Sequence, residues 1–368
     1  MTSRVGPSIA AALVLAAVAG ALVVVLTRDG GIDPRLGVNT HLVWEPESEA
    51  RAGFAAARAG RIEWVREELP WREVEPEAGR WSWERTDGLM AAAAAARVNV
   101  LGILAYSAPW ASSDPGGDGR YPPADPAAYA RYAAEVVERY GPDGGFWEER
   151  PDLDPRPLLA VEIWNEPFSH LSWRPEPDPA AYARLARAAA EAIHAVSDEV
   201  EILVAGDLLQ VRADGAVVPW LVHLREADEG LASLVAAYSV HPYPDPRTLG
   251  PYDDRSDPRW DFRRVEVIHD LDPRLPIWIT EIGWATARTA DSVSEARQAE
   301  YVAGAVERAL GEWSEYVERI FVYSFDRDGE DAQDREEHYG LRRADGSAKP
   351  AWEALQRLDT DELPPAGG

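Results

Sequence analysis

Cysteine is absent from the 368 residues of this chain, so the fold uses neither disulfides nor thiolate metal sites. Basic residues are scarce relative to acidic ones, because 37 Lys and Arg oppose 64 Asp and Glu and leave a net charge of -27. A field of this sign repels phosphate backbones and anionic lipid headgroups. We therefore expect no nucleic-acid partner, whereas a neutral polymer meets no such barrier.

A glycine-rich phosphate loop is missing after the first predicted strand, where a Rossmann unit would carry one. The chain instead alternates short apolar segments with Ala- and Arg-rich helical segments, which is typical of a parallel sheet with crossover helices. The predicted strands are 36–42, 62–68, 98–106, 158–164, 201–205, 236–241, 277–282 and 320–325. The predicted helices are 47–59, 86–96, 126–140, 179–196, 219–229, 259–270, 292–310 and 350–358. This α/β pattern predicts a closed (β/α)8 TIM barrel rather than a doubly wound open sheet.

One hydrophobic run, residues 9–26, is uncharged and long enough to cross the hydrocarbon core of a bilayer. We predict one N-terminal transmembrane helix within an anchor segment 1–30, with a cleaved signal peptide as the alternative. The barrel would occupy residues 31–358 outside the cytoplasm, and residues 359–368 would form a flexible tail. The protein would then be a monomeric single-pass membrane protein that meets the membrane only through this helix, or a secreted one if the segment is cleaved.

Two apolar segments each deliver a glutamate at the end of a predicted strand. The sequence Val-Glu-Ile-Trp-Asn-Glu-Pro at 161–167 places Glu166 just beyond the fourth strand, and Pro-Ile-Trp-Ile-Thr-Glu-Ile-Gly-Trp at 276–284 places Glu281 at the end of the seventh. In a closed barrel both side chains point into the top of one pore. Hydrolysis of a glycosidic bond requires such a pair, one acid to protonate the leaving oxygen and one to attack the sugar carbon. The alternative is that each glutamate pairs with an arginine at the barrel rim.

Three short motifs resemble signatures of the clan A retaining glycoside hydrolases. They are Trp-Asn-Glu-Pro at 164–167, His-Pro-Tyr at 241–243 and Thr-Glu-Ile-Gly-Trp at 280–284, which resemble strands four, six and seven of that clan. Segments 65–87, 106–111 and 339–352 resemble strand two, the loop after strand three and the last barrel unit of family 39 and its relatives. The resemblance covers nearly the whole chain beyond residue 30.

The resemblance implies that Glu166 is the acid/base and Glu281 the nucleophile of a double displacement with net retention. We expect Arg66 to orient Glu281 and depress its pKa, and a less polar setting to keep Glu166 protonated. The two carboxyl groups should lie about 5 to 5.5 Å apart, whereas a separation near about 8 Å would indicate inversion. Neither role needs a cofactor or a metal, so we expect none.

Further residues are expected to support this pair. Asn165 resembles the clan's donor to the sugar 2-hydroxyl, and Tyr243 could donate its hydroxyl to Glu281. His241 could orient the same network. His41, at the end of the first strand, could touch a sugar hydroxyl or merely pack.

Fifteen tryptophans are present, and aromatic faces stack on the C–H faces of sugar rings. From their positions on cleft loops we predict Trp110 and Trp284 as sugar platforms. Three long loops, 108–125, 242–258 and 326–339, follow strand ends and would either wall the cleft or be disordered. One departure from the clan is Val-Tyr-Ser-Phe-Asp at 322–326, where many members have a tryptophan, so the floor of the sugar subsite should differ.

The favoured function is therefore hydrolysis of O-glycosidic bonds, β-linked, in an extracellular poly- or oligosaccharide. A non-catalytic carbohydrate-binding barrel at the cell surface is the alternative, although it would tolerate loss of either glutamate. A metal-dependent barrel hydrolase would need several strand-end histidines, and only His41 lies after the first strand. A purely structural surface protein would leave both carboxylates unexplained.

Overall fold

The computed structural model describes residues 33–358. In chain order its strands are β1 (Leu36–Asn39), β2 (Trp64–Glu68), β3 (Asn99–Leu104), β4 (Ala160–Ile163), β5 (Glu201–Ala205), β6 (Leu209–Val211), β7 (Val217–Pro219), β8 (Ala237–Val240), β9 (Ile277–Ile282) and β10 (Val317–Val322). Strands β6 and β7 pair with each other as an antiparallel hairpin. The other eight strands are parallel and close into a barrel in the order β1-β10-β9-β8-β5-β4-β3-β2. The predicted (β/α)8 barrel is confirmed.

The helices surround this barrel in the predicted places. They are α1 (Glu47–Ala59), α2 (Trp71–Val74), α3 (Glu84–Ala96), α4 (Pro126–Tyr140), α5 (Gly145–Glu149), α6 (Pro179–Val196), α7 (Trp220–Ala227), α8 (Arg264–Leu271), α9 (Glu295–Glu307) and α10 (Pro350–Arg357). Only α2, α5 and the β6–β7 hairpin were not predicted, because each is a short element within a loop that carries no periodic apolar pattern.

The predicted anchor segment 1–30, with its helix at 9–26, and the predicted tail 359–368 lie outside the described residues. Among residues 33–358, no helix is long and apolar enough to cross a membrane.

The lower part of the barrel interior is filled by one side chain from each of seven strands. The members of this cluster are Trp64, Leu101, Ala160, Leu203, Ala237, Trp278 and Phe321. The remaining barrel strand, β1, contributes Gly37, where an added Cβ would lie 2.5 Å from the ring of Phe321. The interior is therefore a packed core, and only its upper end is open for a site.

A bulge in β9 aims Glu281 into this upper end. Ile279 pairs with Ile320 and Ile282 pairs with Val322, so β9 carries one extra residue relative to β10. Because Trp278 points into the barrel, strict alternation would place residue 280 inside and residue 281 outside. The extra residue reverses this order and turns the glutamate inward.

Candidate active site

The two glutamates meet at the top of the barrel. One carboxylate oxygen of Glu166 and one of Glu281 lie within 4.8 Å of each other. Both side chains line one pocket of about 290 Å³, and they remain 27% and 12% exposed. We call this space the catalytic pocket. The sequence-based expectation that these residues converge is met, and both carboxylates can reach a ligand.

Glu166 is presented by an unusual backbone after β4. Trp164 and Glu166 have φ angles of 65° and 47°, in the left-handed region that bulky residues rarely adopt. The indole of Trp164 is fully buried, donates its Nε1 hydrogen to the carbonyl of Ser172 at 3.0 Å and lies against Trp173 with ring centroids 5.1 Å apart. These contacts hold the strained turn, and the turn places the carboxylate above the barrel.

Arg66 connects the nucleophile candidate to the barrel wall. Its Nη1 donates to Glu281 at 2.5 Å and its Nε donates to Glu162 at 2.6 Å. Further bonds run to Asn39 at 2.9 Å and to Asn165 at 2.8 Å. Burial lowers the pKa of this guanidinium, but the two carboxylates outweigh burial and raise it above its usual value. Arg66 is therefore a permanent cation that orients Glu281, as expected from the sequence.

Tyr243 holds the second oxygen of the same carboxylate. Its hydroxyl donates to Oε2 of Glu281 at 3.2 Å, which agrees with the sequence-based expectation. Burial, followed by the charge of Glu281, raises the pKa of Tyr243 well above its usual value, so the hydroxyl stays a donor. Glu281 is thus held on both oxygens by hydrogen-bond donors, which fixes the orientation of its carboxylate.

His241 forms its shortest contact in this network with Glu166. Its Nδ1 lies 2.9 Å from Oε1 of Glu166 and 3.6 Å from Oε2 of Glu281, and its Nε2 lies 3.9 Å from Glu162. Burial lowers the pKa of His241, but the charge of Glu281 and the hydrogen bond to Glu166 outweigh it and raise the pKa. Glu281 and Glu166 therefore favour the imidazolium.

We expected a less polar setting to raise the pKa of Glu166, but the pKa of this residue is lowered. Burial raises the pKa of Glu166, but the hydrogen bond and charge of His241, together with the charge of Arg247, leave it below the usual value. The sequence motif indicated an apolar setting under Trp164, but it could not show that an imidazole approaches from β8. The lowered pKa of Glu166 and the raised pKa of His241 both favour an ionised carboxylate beside a protonated imidazole.

Asn165 lines the catalytic pocket. Its Oδ1 accepts from Arg66 at 2.8 Å and its Nδ2 donates to the hydroxyl of Tyr106 at 3.1 Å. These bonds fix the amide orientation and leave the second Nδ2 hydrogen for a ligand. Donation to a sugar 2-hydroxyl stays a prediction.

His41 lies at the edge of the catalytic pocket. Its Nδ1 lies 2.7 Å from Asp326, and its ring meets Tyr323 edge-on at 5.8 Å. Burial lowers its pKa, but the hydrogen bond and charge of Asp326 outweigh burial and raise it to about 9. At neutral pH His41 is therefore a cation at the rim of the pocket.

The two predicted tryptophan platforms are not in the pocket. Trp284 is only 1% exposed and donates its Nε1 hydrogen to the carbonyl of Leu249 at 2.8 Å, so this prediction is wrong: no ring face is available to a sugar. Trp110 is half-buried, donates to the carbonyl of Glu75 at 2.8 Å and packs edge-on against Trp71 at 5.5 Å. It does not belong to the lining of the catalytic pocket.

Tyrosines form the aromatic wall instead. Tyr323 and Tyr339 have ring centroids 5.4 Å apart, and Tyr339 lies 6.1 Å from Tyr243. All three line the pocket. Tyr323 directly follows the last barrel strand, β10, and the expected difference in the floor of a sugar subsite stays a prediction.

Sequence reasoning missed Glu162 and Arg247. Glu162 is a charged residue within an apolar strand, and this alone indicates a buried carboxylate that needs a cation. Arg247 lies in the long loop after β8 without any motif to single it out, and its guanidinium lies 4.4 Å from the ring centre of Tyr243.

Glu166, His241 and Glu281 offer oxygen and nitrogen atoms within 4.8 Å of one another, as a cation site would. Arg66 and protonated His241 already place positive charge against these carboxylates. The carboxylates therefore have charge compensation from the protein itself.

No protein-family model matches the chain, and no curated protein matches it in sequence. Solved structures do share its architecture. A family 39 glycoside hydrolase from Bacteroides cellulosilyticus WH2 aligns with a TM-score of 0.64 and 20% identity, over 88% of this chain and 62% of that protein. The GH39 enzyme from Xanthomonas axonopodis pv. citri aligns with a TM-score of 0.63 and 17% identity, over 90% and 67% of the two chains.

A GH5_18 structure from Streptomyces cattleya in complex with GlcNAc aligns with a TM-score of 0.63 and 16% identity, over 91% and 82% of the two chains. This chain spans only 62% of the length of the Bacteroides protein. Likeness at such low identity establishes the architecture. The chain therefore has the (β/α)8 barrel fold of the clan A glycoside hydrolases, represented by these GH39 and GH5_18 structures.

Proposed function

We propose that the protein is a retaining glycoside hydrolase that cleaves β-linked O-glycosidic bonds, with Glu281 as nucleophile and Glu166 as acid/base. The observation that carries this proposal is the approach of the two carboxylates, with oxygens within 4.8 Å, across one open pocket. Retention needs carboxyl groups about 5 to 5.5 Å apart, whereas inversion needs about 6.5 to 9.5 Å to admit a water molecule. The observed approach supports direct attack by Glu281.

In the first step Glu281 attacks the anomeric carbon and the bond to the leaving oxygen breaks. Arg66 and Tyr243 hold the carboxylate in one orientation through these two hydrogen bonds. Holding a nucleophile in an attack geometry removes much of the entropic cost of the reaction. The leaving oxygen takes a proton from Glu166, so a neutral alcohol departs.

The proton for this step is shared by Glu166 and His241. Before a substrate binds, the raised pKa of His241 favours the proton on Nδ1 of that residue, 2.9 Å from Oε1 of Glu166. Its transfer to Glu166 moves charge within the pair without changing the total charge of the site. A sugar ring that excludes water strengthens the burial effect on Glu166 and favours that transfer.

The second step reverses these roles. Once the sugar is bound to Glu281, the negative charge of that residue is gone, and Glu166 and His241 together have lost one proton. Glu166 then accepts a proton from a water molecule, which attacks the anomeric carbon and breaks the bond to Glu281. The nucleophile regains its charge, and the proton returns to the pair.

We further propose that the substrate is met outside the cytoplasm, by a monomer held at the membrane through residues 9–26 or secreted after cleavage. The uncharged run at 9–26 supports this location. A Streptomyces cattleya GH5_18 variant was solved in complex with Manb1-4GlcNAc, which supports a β-linked glycan as the substrate class.

The test is hydrolysis of a panel of β-linked aryl glycosides and oligosaccharides by the purified full-length protein. The first-formed product is followed by proton NMR, and retention predicts that it keeps the β configuration before mutarotation. Glu166→Gln and Glu281→Gln should each lower turnover by orders of magnitude. Glu199→Gln, a change at an exposed glutamate, is the matched control.

An α-configured first product would contradict retention. If the protein binds a glycan but both glutamine variants bind it equally and no release is ever seen, the chain is a carbohydrate-binding barrel and the proposed hydrolysis fails.

A further inference from the structure

Two larger cavities share lining residues with the catalytic pocket. It shares His41, Tyr323 and Glu336 with a cavity of about 930 Å³. It shares Glu68 and Leu171 with another of about 490 Å³. We call these the α1 arm and the β3 arm, because helix α1 borders the first and the loop after β3 borders the second. The shared side chains place the three spaces next to one another, and we call them together the groove.

The β3 arm lies on the side of Glu166. Tyr106 lines this arm and its hydroxyl accepts a hydrogen bond from Asn165, the neighbour of Glu166. The exposed Leu171, five residues beyond Glu166 in the chain, lines both the arm and the catalytic pocket. An apolar side chain that is 61% exposed can lie against the C–H face of a sugar. This arm is therefore suited to the leaving part of a substrate.

The α1 arm lies on the side of Glu281. Tyr323 lines it and packs on Tyr339, which in turn packs on Tyr243, the residue that donates to Glu281. This arm is therefore suited to the part of the substrate that becomes bound to the nucleophile.

We propose that the groove binds several sugar units on both sides of the scissile bond, so that the protein cuts within glycan chains. This inference rests on the proposed function and extends it. The catalytic pocket, at about 290 Å³, is at the small end of ligand sites, whereas the α1 arm, at about 930 Å³, is near the large end. An enzyme that removes single end units needs one closed end, whereas here the two arms adjoin the catalytic pocket through different residues, His41 for the α1 arm and Glu68 for the β3 arm.

The charge of the α1 arm limits which glycans can bind there. The lining of the α1 arm contains more acidic than basic side chains: Glu45, Glu49, Asp326, Glu330, Asp331, Glu336 and Glu337 against His41, Arg327 and Arg342. A carboxylate or sulfate on the sugar units in this arm would be repelled. The substrate chain is therefore one whose units carry no anionic groups there.

The experiment compares β-linked oligosaccharides of two to six units and the parent polymer, using the full-length protein. We expect kcat/KM to rise with chain length and the polymer to yield a ladder of oligosaccharides at early times. Ala52 is exposed on α1 and lines the α1 arm. Ala52→Trp should lower kcat/KM about tenfold more for the longest chain than for the disaccharide, the effect of about 1.4 kcal/mol of lost binding. Ala55→Trp, on an exposed position of the same helix outside this lining, should leave both values unchanged.

Release of single sugars from chain ends, or a kcat/KM independent of chain length, would overturn this inference while the proposed hydrolysis stands. Binding to the Glu166→Gln variant provides a second readout that needs no turnover. If affinity rises with length and falls in the Ala52→Trp background, the groove assignment holds even where hydrolysis is not seen. If no oligosaccharide of any length binds, the groove assignment is wrong.

Discussion

The Nδ1 atom of His241 lies 2.9 Å from Oε1 of Glu166. The same nitrogen lies 3.6 Å from Glu281, so the imidazole faces both carboxylates of the proposed reaction. Glu162 at 3.9 Å and Arg66, bonded to the carboxylates of Glu162 and Glu281, complete its charged surroundings. A proton at this position belongs to the pair rather than to either residue, and the pair titrates as one system.

We expect the alkaline limb of the kcat/KM profile to lie above about pH 6.5, the usual pKa of histidine. The pKa of His241 is raised, so the catalytic proton is present below that usual value and is lost only as the pH rises through the higher folded-state pKa. In His241→Asn, Glu166 must hold the proton alone, and the limb should move down by about one pH unit or more. An unchanged limb, measured with the same aryl glycoside, would remove His241 from the proton path.

Glu166→Gln should affect substrates according to their leaving group. General acid catalysis contributes about 10² to 10⁴ in rate, and a sugar alcohol needs that proton, whereas a nitrophenolate hardly does. The variant should therefore lose far more kcat/KM on oligosaccharides than on nitrophenyl glycosides. Glu281→Gln should lose turnover on both. Equal losses for both substrate types in Glu166→Gln would argue against its role as the acid.

Arg66→Leu should lower the free energy of unfolding by about 3 to 5 kcal/mol, since it leaves Glu162 and Glu281 buried without their cation. Urea unfolding followed by tryptophan fluorescence measures this loss. Adding Glu162→Gln should recover part of it, because the uncompensated charge is then smaller. The control is Arg51→Leu, which breaks an exposed pair with Glu47 and should change stability by about 0 to 1 kcal/mol. Additive losses in the double variant would show that the two residues are not coupled.

Trp284→Ala should act on stability rather than on sugar binding. The indole is buried among Leu249 and Tyr301, and removal of such a side chain costs about 3 to 5 kcal/mol. Thermal unfolding should show this loss, while the KM of the folded variant at low temperature stays near that of the parent. A large rise in KM with unchanged stability would restore the sugar-platform hypothesis.

Glu67 should make the protein less stable as the pH rises. Burial raises the pKa of Glu67 to about 8, with His41 and Thr40 opposing part of that effect. The folded state therefore prefers the protonated acid, so stability falls from the unfolded-state pKa of about 4.5 upward, until the folded-state value is passed. Glu67→Gln should flatten this part of the stability–pH curve, and Glu199→Gln should not. A curve of the same slope in Glu67→Gln would contradict this assignment.

The barrel itself was predictable from local pattern. Most barrel strands are short apolar runs, although β2 ends in Arg-Glu-Glu. Several long helices carry an amphipathic period, as in α4 and α6, which match their predicted bounds. Proline at the first turn and aspartate at the N-cap, Asp125 and Asp178, mark both starts in the sequence. Such signals act over a few residues and need no tertiary information.

The Trp284 prediction failed for a reason that the sequence does not contain. A large aromatic residue on a loop can expose a ring face to a sugar or be buried under that loop, and the sequence is compatible with both. Trp284 is buried because Leu249 and Tyr301 cover it. The tyrosines at 243, 323 and 339 line the catalytic pocket, because their loops meet over the pore.

The sequence by itself determined the eightfold alternation and the two strand-end glutamates, because hydrophobic period and strand polarity are local and bring both carboxylates to the same end of a closed barrel. The tertiary structure alone decided the direction of the Glu166 pKa shift, the burial of each tryptophan and the two arms of the groove. These features depend on which side chains from distant segments come within a few ångströms, and both Coulomb energy and burial are functions of that distance.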